Sequence, residues 1–370
     1  MTEFGGLYLH IPFCRKKCTY CDFYSSFATE ELLDQYVDAL IKEIKKRGGS
    51  FGRPVDSVYF GGGTPSLLGT RITAVMDAVR GSFSLLPDTE ITAEANPSSV
   101  DLPFLTAAAK AGVNRLSFGV QSSREDELRL LGRTHTATEA RETVLAARAL
   151  GFQNISVDLM LGLPGSTLDT VAESLAFVLS LNPEHLSTYL LKIEPNTALS
   201  KMADRLSLPD GDAQAQQYLQ VCEILEKNGF SHYEISNFAK EHRQSRHNNK
   251  YWLGAEYLGI GPSAHSFVDG KRFYYPRDLK AFCRRPETVP DGFGGDFEET
   301  VLLRLRLSSG IDFSATAERF GIKLPPELPK QLNHYAAAGL GVCHGTVFSL
   351  TDRGMLVSNQ IISDILEVFS

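Results

Sequence analysis

The chain has 370 residues, 43% of them hydrophobic, with 37 Lys and Arg against 44 Asp and Glu for a net charge of −7. That length suits two domains with their own cores, and the acidic balance excludes a general nucleic-acid binder, which carries a basic face. No stretch approaches the roughly 18 consecutive apolar residues of a membrane span.

Six cysteines without regular pairing suit a reducing cytosol, and the first residues lack the basic start and apolar run of a signal peptide. In chain order, a short apolar strand over 7–11 runs directly into a loop carrying Cys14, Cys18 and Cys21. A cubane iron–sulfur cluster held wholly by protein takes four thiolates, so three in one loop leave one iron open to a small molecule. Zinc competes for such a loop. A closed zinc site needs a fourth ligand, however, and Cys222, Cys283 and Cys343 stand singly and far away. Unliganded core thiols are the third reading. Arg15-Lys16-Lys17, the longest basic cluster, lies inside the same loop, either as a solvated stretch or as a holder of anionic groups.

An amphipathic helix follows, with Leu32, Leu33, Tyr36, Val37, Leu40, Ile41 and Ile44 on one face and a stop expected at Gly48-Gly49. Further strands are expected over 57–60, 90–95, 115–121, 155–161 and 185–191, alternating with helices in the manner of parallel βα units. One parity of these strands is apolar, as in Leu7, Val58, Ile91, Leu116, Val157 and Leu186. The other carries Tyr8, His10, Tyr59, Thr92, Glu94, Ser117, Gln121, Ser156, Asp158, Ser187 and Tyr189. Successive strand side chains point to opposite faces. A closed eight-stranded barrel fills its interior with bulky branched residues. A polar interior therefore implies an open or partial barrel whose lumen holds a ligand. Glu94, Gln121 and Asp158 fall near the carboxyl ends of their strands, where barrel enzymes place their chemistry.

Gly61-Gly62-Gly63 leaves a strand, with Thr64 as N-cap and Pro65 as first helical residue. The glycines either let a ligand approach the backbone or only make a tight turn. Arg133, in Leu131-Gly132-Arg133, offers a planar fork to a carboxylate or is a surface arginine.

The C-x3-C-x2-C loop resembles that of the radical S-adenosylmethionine (SAM) enzymes. Cys21-Asp22-Phe23, with Gly61-Gly62-Gly63-Thr64-Pro65, Glu94-Ala95-Asn96-Pro97, Gly119-Val120-Gln121-Ser122 and Leu131-Gly132-Arg133, is similar to the oxygen-independent coproporphyrinogen III oxidase family, and within it to the heme-chaperone branch. The likeness runs from about Leu7 to the end of the chain. It implies a six-stranded partial TIM-like (β/α)6 barrel and a [4Fe-4S] cluster on Cys14, Cys18 and Cys21. It implies SAM bound through its amino and carboxylate groups at the open iron, split by one electron into methionine and a 5′-deoxyadenosyl radical. Tyr8, Gly61, Gly62, Thr64, Glu94, Gln121, Arg133 and Asp158 match the family's SAM-contacting positions. Two functions are then in view: oxidative decarboxylation of coproporphyrinogen propionates, and carriage of heme to respiratory hemoproteins. The oxidases carry a fourth cysteine two residues beyond the third, where this chain has Phe23, here counted among the cofactor-binding positions. The chaperone is therefore favoured, with heme, recipient hemoproteins and a cluster reductant as partners, a cytoplasmic location and peripheral membrane contact.

The second half is expected to hold a linker or lid over 196–212 and a region over 213–295 that completes the pocket of the 1–195 barrel. A smaller α+β, partly winged-helix-like module covers 296–370. The segment His247-Asn248-Asn249-Lys250-Tyr251-Trp252 resembles the chaperone signature and holds the only tryptophan. His247, Tyr251 and Trp252 have the chemistry of an axial ligand with aromatic walls for heme, and equally of a packed seam with a satisfied ring. His232 and His265 compete as ligands. From Glu298 onward six Lys and Arg face eight Asp and Glu, which argues against DNA and for a lid or partner surface.

Overall fold

The computed structural model describes residues 4–369. Gly5–Ile11 pairs in parallel with Val55–Gly62, and the ladder continues through Leu85–Ala95, Arg115–Gln121, Ile155–Leu161 and His185–Leu190. All six expected strands are present. Leu85–Ala95 begins earlier than expected because Asp88, Thr89 and Glu90 break its apolar alternation; Thr89 instead donates its hydroxyl to the Val55 carbonyl at 2.9 Å.

Strand parity holds for most positions, although Tyr8, His10 and Thr92 of the polar set do not line the cavity. Leu7, Leu9, Val58, Phe60, Ala93, Leu116, Phe118, Val157 and Leu186 are fully enclosed in the main core. Tyr59, Glu94, Ser117, Gln121, Ser156, Asp158, Ser187 and Tyr189 line a cavity of about 490 Å³ on the other face.

The sheet stays open among the described residues and is widened at both rims. Tyr257–Ile260 adds a seventh parallel strand beside Gly5–Ile11, followed by antiparallel His265–Val268, Lys271–Tyr274 and Val289–Phe293. At the opposite rim Asn237–Ala239 and Ser231–Glu234 pair antiparallel beyond His185–Leu190. The chain between the two rims passes beneath the amino ends of the barrel strands and carries helix Arg246–Trp252. Glu90, midway along Leu85–Ala95, accepts the helix's first amides, those of Arg246 and His247, each at 3.2 Å. A carboxylate there complements the positive end of the helix.

The first long helix is Glu30–Phe51, with the Thr29 hydroxyl accepting from the Leu32 amide at 3.2 Å. It runs past the expected stop at Gly48-Gly49. A Cβ on Gly48 would meet the Ser82 carbonyl oxygen at 2.3 Å, so glycine there serves close helix packing. The left-handed end falls at Gly52, φ 62°, after Phe51 has packed edge-on against Phe83.

A second core, built around Val301, Leu305, Phe313, Leu332, Phe348 and Ile365, belongs to a C-terminal α+β module. Its three-stranded sheet joins Ile311–Asp312, Val347–Leu350 and Gly341–His344. The backbone ties it to the barrel half through Ile235 N–H to Arg306 O at 3.2 Å and Ser308 N–H to Tyr233 O at 3.0 Å. Among the described residues no helix is long and apolar enough to cross a membrane.

Candidate functional site

The loop of Cys14, Cys18 and Cys21 closes over the carboxyl ends of the barrel strands, and all three sulfurs are half-buried and free of disulfides. Thr19 pins it, donating its amide to Leu131 O at 3.0 Å and its hydroxyl to Leu130 O at 2.8 Å. Leu199, from the segment expected as linker or lid, donates its amide to Thr19 O at 2.7 Å. Its side chain is buried in a small cluster with Leu131, Met160, Leu163 and Leu191. The Thr64 side chain makes no helix cap; its hydroxyl points at Cys14 Sγ, 3.6 Å away.

Burial, with Cys18 and Cys14 adding to it, pushes the Cys21 thiol up to about 11. A thiolate at Cys21 therefore needs a cation beside it. Among the described residues only Cys222, His232 and Asp352 gather three such donor atoms within 4.8 Å of one another.

Below the loop, opposite charges face one cavity. Glu94 accepts from the Tyr59 hydroxyl at 2.8 Å and the Gly62 amide at 3.2 Å, and burial lifts its carboxyl to about 7. Asp158 accepts from Ser117 Oγ at 3.3 Å and is raised by burial to about 6. Arg133, far from being a surface residue, reaches into the cavity with Nη1 3.5 Å from Cys18 Sγ and Nη2 on the Gly119 carbonyl. Its Nε is buried without a partner. Gln121 ends its strand in a left-handed turn, φ 71°, and accepts from the Tyr189 hydroxyl at 2.8 Å.

The glycine run answers first to the chain's own packing. Gly62 has φ 110°, and a Cβ there would strike the His10 ring at 2.6 Å; on Gly63 it would meet Phe13 O at 2.6 Å. Tyr8 and Gly61 are not among the cavity-lining residues. Tyr8 stacks on Tyr59 at 6.2 Å and bonds His10 Nδ1 at 3.0 Å. Phe23 lines the mouth and is 62% exposed.

Sequence reasoning missed Arg115. It is 2% exposed at the start of its strand, lines the lower cavity, and donates through Nη1 to Asn154 Oδ1 at 3.2 Å and Arg243 O at 3.1 Å. The signal was present, since Arg115 shares the inward parity of Ser117 and Gln121. His185 was also passed over; Ser156 Oγ at 2.8 Å and Tyr233 Oη at 2.9 Å hold its two nitrogens.

The expected heme wall at His247, Tyr251 and Trp252 meets a different arrangement. His247 is 1% exposed, with Nδ1 3.0 Å from Ser57 Oγ and Nε2 2.9 Å from Tyr251 Oη, and its ring stacks on Tyr59 at 5.2 Å. Neither nitrogen is open to iron. The residue seals the barrel floor, while Trp252, at the helix end, is half-buried. His232 is likewise engaged, 2.7 Å from Asp352 Oδ1 and 3.3 Å from Tyr218 Oη. His265 is exposed, stacks on Tyr274 at 5.1 Å, and turns Nδ1 toward Asp291 Oδ2 at 3.7 Å.

A partial parallel barrel with three cysteines over a polar lumen defines a radical SAM protein, and residues 8–178 match the radical SAM superfamily while 296–357 match the HemN C-terminal domain. The solved structure of coproporphyrinogen III oxidase (HemN) from Escherichia coli, a radical SAM enzyme, superposes with a TM-score of 0.84 at 26% identity, covering 98% of this chain and 90% of that one. The heme chaperone HemW of Bacillus subtilis is 36% identical over 96% of this chain and 97% of its own. The mitochondrial radical S-adenosyl methionine domain-containing protein 1 of Danio rerio is 40% identical over 96% and 83%. The chain belongs to the HemW heme chaperone family of radical SAM proteins.

That membership implies a [4Fe-4S] cluster and SAM, and the residues fit both. Three free thiols converge at the mouth. A ligand carrying both an ammonium and a carboxylate finds Glu94 and Asp158 for one charge and the unsatisfied Nε of Arg133 for the other.

Proposed function

We propose that this chain binds heme and delivers it to hemoproteins, respiratory enzymes among them, while Cys14, Cys18 and Cys21 hold a [4Fe-4S] cluster whose open iron takes SAM. When bound, the pair supplies one-electron chemistry at a sulfonium. The protein's part is to place a carboxylate pair, Glu94 and Asp158, and the Arg133 fork around the amino-acid end of SAM, and to shut water out through the sealed floor. A reductant for the cluster and a cytoplasmic setting belong to the same reading.

The observation that carries chaperone over oxidase is Phe23. An exposed phenyl ring stands at the cavity mouth where the oxidase pattern has a cysteine, so the loop offers apolar surface there in place of a thiol. Phe27, 72% exposed, and the exposed Lys16 and Lys17 extend that rim, a surface suited to a hemoprotein recipient or a membrane edge. For the iron of heme we infer His265. It is exposed and backed by the Tyr274 ring, and among the described residues no hydrogen bond to another side chain occupies its ring nitrogens, whereas both nitrogens of His247 and of His232 are engaged.

Anaerobically reconstituted protein titrated with heme should show saturable binding, and should not convert coproporphyrinogen III at enzymatic rates. Rapid decarboxylation without saturable heme binding would make it an oxidase instead.

A further inference from the structure

Away from the barrel mouth, three side chains with metal-binding chemistry meet where the barrel half touches the C-terminal module. Cys222 comes from helix Gly211–Lys227, His232 from strand Ser231–Glu234, and Asp352 from the first turn of helix Asp352–Leu356. One donor atom from each lies within 4.8 Å of the other two. The imidazole is fixed before any ion arrives: its ring lies flat on Phe238, 4.2 Å between centroids and 11° between planes, and its nitrogens face Asp352 and Tyr218. Cys222 is buried, whereas the Asp352 side chain is 45% exposed, which opens the group to solvent on one side.

A histidine–aspartate hydrogen bond fastening two modules accounts for that pair alone. The Cys222 thiol joins the same cluster, hydrogen-bonded to the Asp352 carboxylate and the Tyr218 hydroxyl, so all three donors converge on one point. Burial, with the adjacent Asp352 adding to it, holds the Cys222 thiol in its protonated form. A divalent ion would reverse that balance, because a metal-bound thiol loses its proton.

We propose that Cys222, His232 and Asp352 bind one divalent transition-metal ion of borderline softness, with zinc as the type. Thiolate, imidazole and carboxylate form a donor set that zinc accepts. On binding, the Cys222 proton and the hydrogen shared by His232 Nδ1 and Asp352 are both released to solvent; the ion takes that hydrogen's place, while Nε2–H stays on the Tyr218 hydroxyl. Three protein ligands leave a fourth position open on the solvent side, so the site is labile rather than closed. Because two ligands belong to the barrel half and one to the C-terminal module, the ion cross-links them.

The test uses the full chain with its cluster reconstituted, equilibrated with zinc chloride, desalted and analysed for metals. The wild type should hold one zinc per chain besides its cluster iron. Cys222→Ser and His232→Ala should lose it with iron unchanged. Cobalt(II) in place of zinc should give a thiolate-to-metal absorption band that Cys222→Ser abolishes. If Cys222→Ser does not fold, Asp352→Asn, altered at a half-exposed position, should still weaken zinc by about tenfold or more. A wild type that takes up no zinc, or a Cys222→Ser or Asp352→Asn protein that keeps it, overturns the site.

Discussion

Arg133 brings Nη1 to 3.5 Å from the Cys18 sulfur while its own Nε is buried without a partner. One guanidinium thus touches the cluster loop and still has a donor to spend on a ligand. Hydrogen bonds to charged groups contribute about 1.5–3 kcal/mol, so Arg133→Met should weaken SAM binding by about 10–100-fold. Arg133→Lys keeps the charge without the planar fork and should fall between. Equilibrium dialysis with SAM, alongside iron analysis, checks this. Unchanged SAM affinity in Arg133→Met chains that carry the cluster, with fewer chains carrying it, would mean that the residue serves the loop alone.

Glu94 gives a pH dependence with opposite signs for binding and stability. Burial raises its carboxyl from 4.5 to about 7, so the ligand-free site is protonated below that value. An ammonium prefers the carboxylate. SAM affinity should therefore climb with pH up to about 7, by about tenfold per unit, and then level off. The folded protein binds more protons than the unfolded chain between 4.5 and about 7, so ligand-free stability falls as pH rises through that window. Asp158, raised to about 6, adds in the same direction below its own value. Glu94→Gln should remove the slope above about pH 6 in both titrations. A flat SAM affinity in the wild type across this range would remove Glu94 from the binding step.

Cys18 and Cys283 are both free and half-buried, yet only Cys18 lies at the mouth. Cys18→Ala should abolish the brown absorbance of the reconstituted cluster, and Cys283→Ala should leave it intact. Equal spectra in the two variants would mean that the ligands are misassigned.

How much of this was readable beforehand follows from the range of each interaction. Strand parity is local, so the polar lumen and the inward placement of Glu94, Gln121 and Asp158 could be read from alternation alone. The barrel floor could not. His247 Nδ1 meets Ser57 Oγ across 190 positions of sequence, and nothing near His247 announces that partner. Gly48 misled for a related reason: a glycine inside a helix marks a stop when read locally, but here it admits Ser82 from another helix. Thr64 has the spelling of a helix cap, and its hydroxyl faces Cys14, fifty residues earlier in the chain.

The two histidines of the second half should separate stability from heme ligation. His247→Ala would leave the Ser57 and Tyr251 hydroxyls without their partner and empty a buried ring site against Tyr59. Lost packing and unpaired buried hydroxyls together cost about 2–4 kcal/mol. The midpoint of urea unfolding should drop while its slope stays constant, since the exposed surface of the unfolded chain is unchanged. His265→Ala removes an exposed ring whose contacts are the Tyr274 face and a distant Asp291, and should shift stability by about 0.5 kcal/mol or less. The heme spectrum should respond in the reverse order, with the Soret shift lost in His265→Ala and kept in folded His247→Ala. If the spectrum follows His247 instead, the floor must open to admit the macrocycle, and the Tyr251 hydroxyl must leave Nε2 to make room for iron.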